Sequence, residues 1–391
     1  MADDSTMVQN NESRPATGFA RGGVVYRFCE AAIAVEPGDE GSERWLREFV
    51  TPWFTAEAAR DTDPRVRVVT SAARFAELAT RQARSAVRPI PCFSLASALV
   101  SYPGWDEPDG ARVIADGEYG CYYRVLGREI EILARPQNRL ARVGLLRVLR
   151  ELATLGALAA PEMLDLHAAA CVYGDLAVVL VGGKRAGKTT LLAHLLSSGE
   201  AALLTNDRLL VETGSRRAFG VPVLVPVRED TERRFPALGH GLPRQAGLLH
   251  ADERAQRDAA GAEAGARLVL SPAQFAGQLG AATAASARVG VIVFPEISSS
   301  VSVWSLHPLP RDEGVVRLCR GLYANGPGPR EPTIFQSVTG RAADPAARMR
   351  LAQQLAGEVP LATCLLGPNA YRGQARAWLR ALPLDKADGG P

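Results

Sequence analysis

The stretch VVLVGGKRAGKTTLLAHLL, residues 178–196, places glycines, two lysines and two threonines between an apolar run and an amphipathic pattern. Gly182, Gly187, Lys188 and Thr189 match the Walker A pattern G-x-x-x-x-G-K-[ST] without a mismatch. Glycines in such a loop let successive backbone N–H groups converge on phosphate oxygens, and the helix behind it adds the positive end of its dipole. The expected nucleotide cradle is Gly182, Gly183, Lys184, Arg185, Ala186, Gly187, Lys188, Thr189 and Thr190. Lys188 is expected to reach the β- and γ-phosphates of ATP, and the Thr189 hydroxyl to coordinate Mg2+. Composition sharpens the point. Only Lys184, Lys188 and Lys386 are lysines among 45 basic residues, and two of them lie in this loop. A planar guanidinium is a poor substitute for a compact ammonium inside a phosphate cradle.

Metal-assisted phosphoryl transfer also needs a carboxylate at a nearby strand tip, either in the metal shell or as acceptor of a proton. Asp207 follows Lys188 by 19 residues, an interval filled by one helix and the short apolar run AALLT. That length returns the chain to the carboxyl edge of a sheet, where such folds bind ligands. Glu296, in VIVFPE, is a weaker candidate because Pro295 precedes it. The absence of an LSGGQ signature argues against an ABC transport ATPase, and the absence of NKxD against a GTPase switch. His194, His240, His250 and His307 form no metal-ligand spacing.

The elements that must position these groups read as an α/β chain. Residues 1–20 are expected to form a disordered tail. Residues 21–160 form a β-rich α+β module for recognition or oligomerisation, with a hairpin turning at Leu126-Gly127 and a helix starting near Asn138. Residues 161–385 form the P-loop domain, followed by a tail at 386–391. Within that domain two strands are joined by a turn at Tyr173-Gly174-Asp175, ahead of the loop and its helix. Further strands are expected at 267–270, 289–294, 302–306 and 361–366, and helices at 311–322, 345–355 and 372–381. AFGVPVLVPV (218–227), with two prolines, is expected at an edge or in a loop, and 240–266 and 324–332 as mobile loops.

The 45 basic and 42 acidic residues nearly cancel to +3, without a long run of one sign, which argues against nucleic acid or an anionic membrane as partner. Leu145–Ala160 is apolar but carries Arg147, Arg150 and Glu151, unlike a membrane span. The polar, acidic N-terminus is no signal peptide, and six scattered cysteines read as reduced thiols. A cytoplasmic location is expected.

On LHAAACVYGDLAVVLVGGKRAGKTTLLAHLLSSGEAALLTND, residues 164 to about 212 resemble the catalytic domain of HPr kinase/phosphorylase and its relatives, which share a P-loop core with phosphoenolpyruvate carboxykinases. The resemblance implies a fold with that core. It aligns His167 with the family's strand-opening histidine, Lys188 with its P-loop lysine, and Thr189 with its metal-binding hydroxyl. His167, Lys188 and Asp207 are thereby the candidate catalytic residues, and Thr189 and Asp207 the candidate metal ligands. A packed core histidine is the alternative for His167. The family's paired acids read Asn206-Asp207 here, and an amide cannot take a proton. The downstream glutamate-arginine-glycine signature is missing, so HPr as substrate and a phosphorylase activity are not expected. The layout is similar to HPr-kinase-like proteins of actinobacterial natural-product clusters. It implies an ATP- and Mg2+-dependent kinase acting on a hydroxyl of a peptide, protein or small-molecule acceptor. The alternatives are a non-catalytic nucleotide-binding scaffold and a simple ATPase. Relatives often assemble, so a homo-oligomer is compatible with the resemblance.

Overall fold

The computed structural model describes residues 23–384 except 59–63, 94–98, 139, 184, 241–267, 324–334, 336–337, 339–344 and 373–374. The expected tails at 1–20 and 386–391, nearly all of the loop at 240–266, and the loop at 324–332 lie outside the described residues. The chain is a mixed α/β protein built on two large sheets.

The first sheet takes β1 (Val24–Phe28), β2 (Ala31–Glu36), β3 (Thr55–Ala58), β4 (Arg65–Thr70), β5 (Arg88–Phe93), β6 (Leu99–Asp106), β7 (Arg112–Asp116), β8 (Cys121–Leu126) and β9 (Glu129–Ala134). Their order is β3-β1-β2-β4-β9-β8-β7-β6-β5. Gly127, at φ 57°, makes the expected turn between β8 and β9. Three helices belong to this half, α1 (Glu40–Val50), α2 (Ala72–Arg84) and α3 (Ala141–Ala157). The last begins later than the expected Asn138. That side chain instead accepts from Leu140 N at 3.0 Å and donates to the carbonyls of Tyr119 and Gly120, each at 2.9 Å, building a turn in competition with the helix.

Helix α3 is buried nearly all round, which explains its apolar sequence. Arg147 inside it is reconciled with burial by Asp116, 2.9 Å away and itself held by Tyr123 Oη at 2.7 Å. Among the described residues no helix is long and apolar enough to cross a membrane.

The second half comprises β10 (Met163–Tyr173), β11 (Leu176–Val181), α4 (Lys188–Leu196), β12 (Ala201–Thr205), β13 (Arg208–Glu212), β14 (Arg217–Val221), β15 (Val225–Val227) and α5 (Glu229–Arg234). It continues through β16 (Leu268–Leu270), α6 (Pro272–Gln278), β17 (Ser286–Ile297), β18 (Trp304–Pro308), α7 (Arg311–Arg320), α8 (Pro345–Glu358), β19 (Leu361–Leu366) and α9 (Ala375–Arg380). The expected strands and helices of this half are present, with ends shifted by a few residues. β11 is buried at every position, as a continuous apolar run requires. It pairs antiparallel with β10 and parallel with β17, and β17 pairs parallel with β19. The segment expected at an edge behaves differently: β14 is an interior strand between β13 and β17. Pro222 falls just beyond its end, and Pro226 lies in the separate pair of β15 with β16, so neither proline takes a ladder position in the large sheet. The pairing β10–β11–β17–β14–β13 thereby returns to β10.

β10 has two successive neighbours on one side. β13 pairs with Met163–His167, and β12 with Ala170–Tyr173. Asn206 and Asp207 occupy the break between those two short strands. The two halves meet at this place. Trp53 Nε1 donates to the carbonyl of Leu204 at 2.7 Å in a buried contact, and a Cβ on Gly220 would meet the same oxygen at 1.9 Å. Met163, Leu210 and Val221 share a core with α3 and the first sheet. Trp53→Phe, which keeps an aromatic side chain but deletes the donor and part of the ring volume, is expected to lower the unfolding free energy by about 1–3 kcal/mol in a denaturant titration.

Candidate functional site

The loop from Gly182 to Gly187 follows β11 at the carboxyl ends of the parallel strands β11, β17 and β19. Two of its residues are left-handed, Arg185 at φ 71° and Gly187 at φ 91°. Gly187 serves as the N-cap of α4. A Cβ there would lie 3.2 Å from Leu366 Cδ1, so the backbone conformation and the available space both select glycine. Gly183 is exposed, while the loop turns through Ala186 N donating to Gly183 O at 3.3 Å. Behind it, Leu191, Leu192, Leu195 and Leu196 anchor α4 in a core with Val178 and Leu180 of β11. The loop thus links two buried elements, β11 and α4, and a helix N-terminus in such a place can aim its amides at an anion. Lys184 lies outside the described residues.

Lys188, the first residue of α4, is 9% exposed. Its ammonium donates to Gly182 O at 2.5 Å and Gly183 O at 3.3 Å, and it lies 3.2 Å from His167 Nε2. The other ring nitrogen, Nδ1, stands 3.3 Å from Asp207 Oδ1. An ammonium has no acceptor capacity, so Nε2 must accept from Lys188 and the proton of a neutral imidazole sits on Nδ1, facing Asp207. Burial lowers the pKa of His167, the Lys188 charge lowers it further, and Asp207 opposes both. Burial likewise lowers that of Lys188, again against Asp207.

Asp207 Oδ2 accepts from Tyr323 Oη at 3.0 Å. Tyr323 reaches this position because the chain after α7 forms a short antiparallel bridge, Leu166 to Leu322, along the other side of β10. His167 N donates to Gly321 O at 2.8 Å, and Tyr323 N to Asp165 O at 3.0 Å. The rings of His167 and Tyr323 meet edge to face at 5.6 Å. Next to Asp207, Arg208 makes a two-pronged pair with Asp165, at 3.1 and 2.6 Å, and its guanidinium lies 4.5 Å from the centre of the Tyr323 ring. Burial works against the Arg208 charge, yet Asp165 more than compensates and raises its pKa.

The sequence-derived candidates Lys188, His167 and Asp207 therefore form one connected chain of polar contacts. His167 does not open its strand as expected. It lies in the middle of β10, at the last position paired with β13 and just before the break carrying Asp207. Asn206 faces elsewhere: its amide nitrogen donates to Leu224 O at 3.4 Å, and its buried oxygen has no hydrogen-bond partner among the described residues. Asp207 rather than Asn206 meets the histidine. Thr189 is half-buried, and the Thr190 hydroxyl pairs with that of Thr231 at 2.9 Å. Glu296 is occupied by an ion pair to Arg317. Tyr323 and the Asp165–Arg208 pair escaped sequence reasoning. The alternation of DLH on β10 was a faint signal for Asp165, but no local signal pointed to Tyr323.

Among the described residues no group of three or more His, Cys, Asp or Glu side chains is arranged to hold a metal. Thr189 and Asp207, the expected metal ligands, offer a hydroxyl and a carboxylate, oxygen donors of the kind that Mg2+ could take beside water and phosphate oxygens. No protein-family model matches the chain, and no curated protein matches its sequence.

The lowered pKa of His167 has a defined consequence for stability. The native state holds the imidazole neutral more firmly than the unfolded chain does, so this contribution is complete above the ordinary value of 6.5 and is lost as pH falls through the lower folded value. NMR titration of the ring is expected to give a pKa below 6.5, and Asp207→Asn to lower it further by removing the larger of two favourable charges, the other being Asp165. A midpoint at or above 6.5 would contradict the arrangement described.

Proposed function

We propose that the chain is an ATP- and Mg2+-dependent phosphotransferase with a P-loop core of the HPr kinase type, moving the γ-phosphoryl group to a hydroxyl of a peptide, protein or small-molecule acceptor. The observation that carries this reading is the contact chain Lys188–His167–Asp207 at the mouth of the glycine loop. A simple phosphate-binding turn needs the loop and the lysine, but it does not need a carboxylate held ready beside them.

In this reading the loop amides and Lys188 hold the β- and γ-phosphates, exchanging the carbonyls of Gly182 and Gly183 for phosphate oxygens. Thr189 provides a hydroxyl to the metal. When bound, Mg2+ neutralises charge on the transferring group. His167 and Tyr323 each bind one oxygen of Asp207 and fix its orientation. Asp207 then takes the proton of the acceptor hydroxyl as that oxygen bonds to the γ-phosphorus. The bond from phosphorus to the bridging oxygen breaks, and ADP leaves. Because such transition states are loose, positioning and charge neutralisation supply most of the rate.

Asn206, at the position of the resembled family's first acid, favours one second reading: a nucleotide-binding scaffold or ATPase in which transfer has been lost. Incubation with γ-labelled ATP and serine peptides or hydroxylated small molecules separates these. Label on an acceptor is expected. Lys188→Ala should reduce transfer by about 10²–10³-fold with an unchanged circular dichroism spectrum, and Asp207→Asn by about 10²–10⁴-fold. Free phosphate alone would identify an ATPase, and binding without turnover a scaffold.

A further inference from the structure

The glycine loop has a second flank, away from the Lys188–His167–Asp207 centre. Lys188 turns its ammonium towards His167, on the β10 side of β11. On the other side of β11 stand β17 and β19, and the chain leaves both at the carboxyl edge of the sheet, where open α/β sheets bind ligands. A Cβ built on Gly187 would lie 3.4 Å from Tyr371 Oη, just beyond β19, and 3.8 Å from Cγ1 of Ile297, the last residue of β17. Ile297 is 70% exposed, more than any other large hydrophobic side chain among the described residues. The Tyr371 ring is held by those of His194 at 5.7 Å and Phe235 at 6.4 Å, both edge to face. Its hydroxyl, beside the loop, has no hydrogen-bond partner among the described residues. Burial pushes the pKa of that hydroxyl up to about 12, with Arg234 opposing, so at neutral pH it is a donor. Arg234, the last residue of α5, is exposed and places its guanidinium 5.2 Å from the centre of the Tyr371 ring. Helix α5 is tied to the first turn of α4 by the contact of Thr231 with Thr190, which holds Arg234 at the same flank. Asp230, one turn earlier on α5, accepts from Thr231 N at 2.9 Å and makes no ion pair with Arg234.

We propose that Ile297, Tyr371 and Arg234 form the nucleoside wall of the glycine-loop site, taking the ribose and base of the nucleotide whose phosphates the loop holds. The inference rests on the reading of the loop as a nucleotide site, and not on transfer. A nucleotide with its terminal phosphate at Lys188 has its β10 side closed by His167 and Asp207, so its nucleoside end passes Gly187 towards β17 and β19. There the Tyr371 hydroxyl donates to a sugar oxygen, and the base stacks on the Arg234 guanidinium, which the Tyr371 ring backs. Ile297 covers the apolar surface of the same nucleoside, which accounts for a large aliphatic side chain left exposed at the mouth of a polar loop.

The test compares two probes, ADP and inorganic pyrophosphate, by calorimetric titration of the full chain at one Mg2+ concentration. Both present phosphates to the loop, and only ADP carries a nucleoside. Arg234→Lys keeps the charge and loses the stacking plane, and Ile297→Ser removes the apolar contact at an exposed position. Each is expected to weaken ADP by about fivefold or more, with pyrophosphate affinity unchanged. Tyr371→Phe, which keeps the ring against His194 and Phe235, is expected to weaken ADP severalfold. ADP affinity equal to wild type in both Arg234→Lys and Ile297→Ser would overturn the wall, and so would a parallel loss of ADP and pyrophosphate in the two. A wild-type chain that binds neither probe would overturn nucleotide binding at the loop and the wall with it. The expected ADP pattern without label transfer from ATP would leave the wall standing and count against the kinase reading alone.

Discussion

A buried ammonium must find acceptors, and the way Lys188 finds them organises the second half of this protein. Its three hydrogen atoms meet two loop carbonyls and one imidazole nitrogen. The imidazole is thereby committed to presenting its protonated nitrogen to Asp207. That commitment requires β10 to bring His167 below the loop, β11 to bring the loop above it, and the break between β12 and β13 to bring in Asp207. Moving any of these strands by one residue would turn a side chain to the other face of the sheet and break the chain of contacts. The register of β10 is therefore as much a part of the site as the glycine loop.

Charge burial is handled differently in the two halves. In the first, Arg147 and Asp116 neutralise each other inside the core, with Tyr123 bonded to Asp116 and Tyr102 to Arg147. The Arg208–Asp165 pair has the same logic in the second half. Such pairs offset the loss of water by good geometry, and they gain little net stability over an apolar core. Arg150 has no such two-pronged pair: its Nε and Nη1 find no hydrogen-bond partner among the described residues, and Glu151 is the acid that favours its charge.

The contact between Trp53 and Leu204 gives the N-terminal sheet a structural relation to the site. The indole fixes a carbonyl two residues before Asn206, at the end of the strand that leads into Asp207. Gly220 is required opposite because any side chain would occupy the same volume. The halves also share an apolar core, in which Met163, Leu210 and Val221 pack with α3 and the first sheet.

Local chemistry determined a good part of this protein. The glycine loop, its lysine, the threonine after it and the apolar runs around it specify a strand, a glycine turn and a helix, because those preferences act over a few residues. The spacing to Asp207 was enough to return the chain to the same sheet edge. The sequence could not say whether Asn206 or Asp207 faces the histidine, since that depends on which residue of the break turns towards Leu224. Nor could it show β14 as an interior strand, because its neighbours β13 and β17 come from separate parts of the chain. Tyr323 and Arg150 were also invisible: one arrives on a bridge 116 residues after Asp207 and the other on a helix of the opposite half. Their placement depends on distances between segments remote in sequence, and only the folded chain sets those distances.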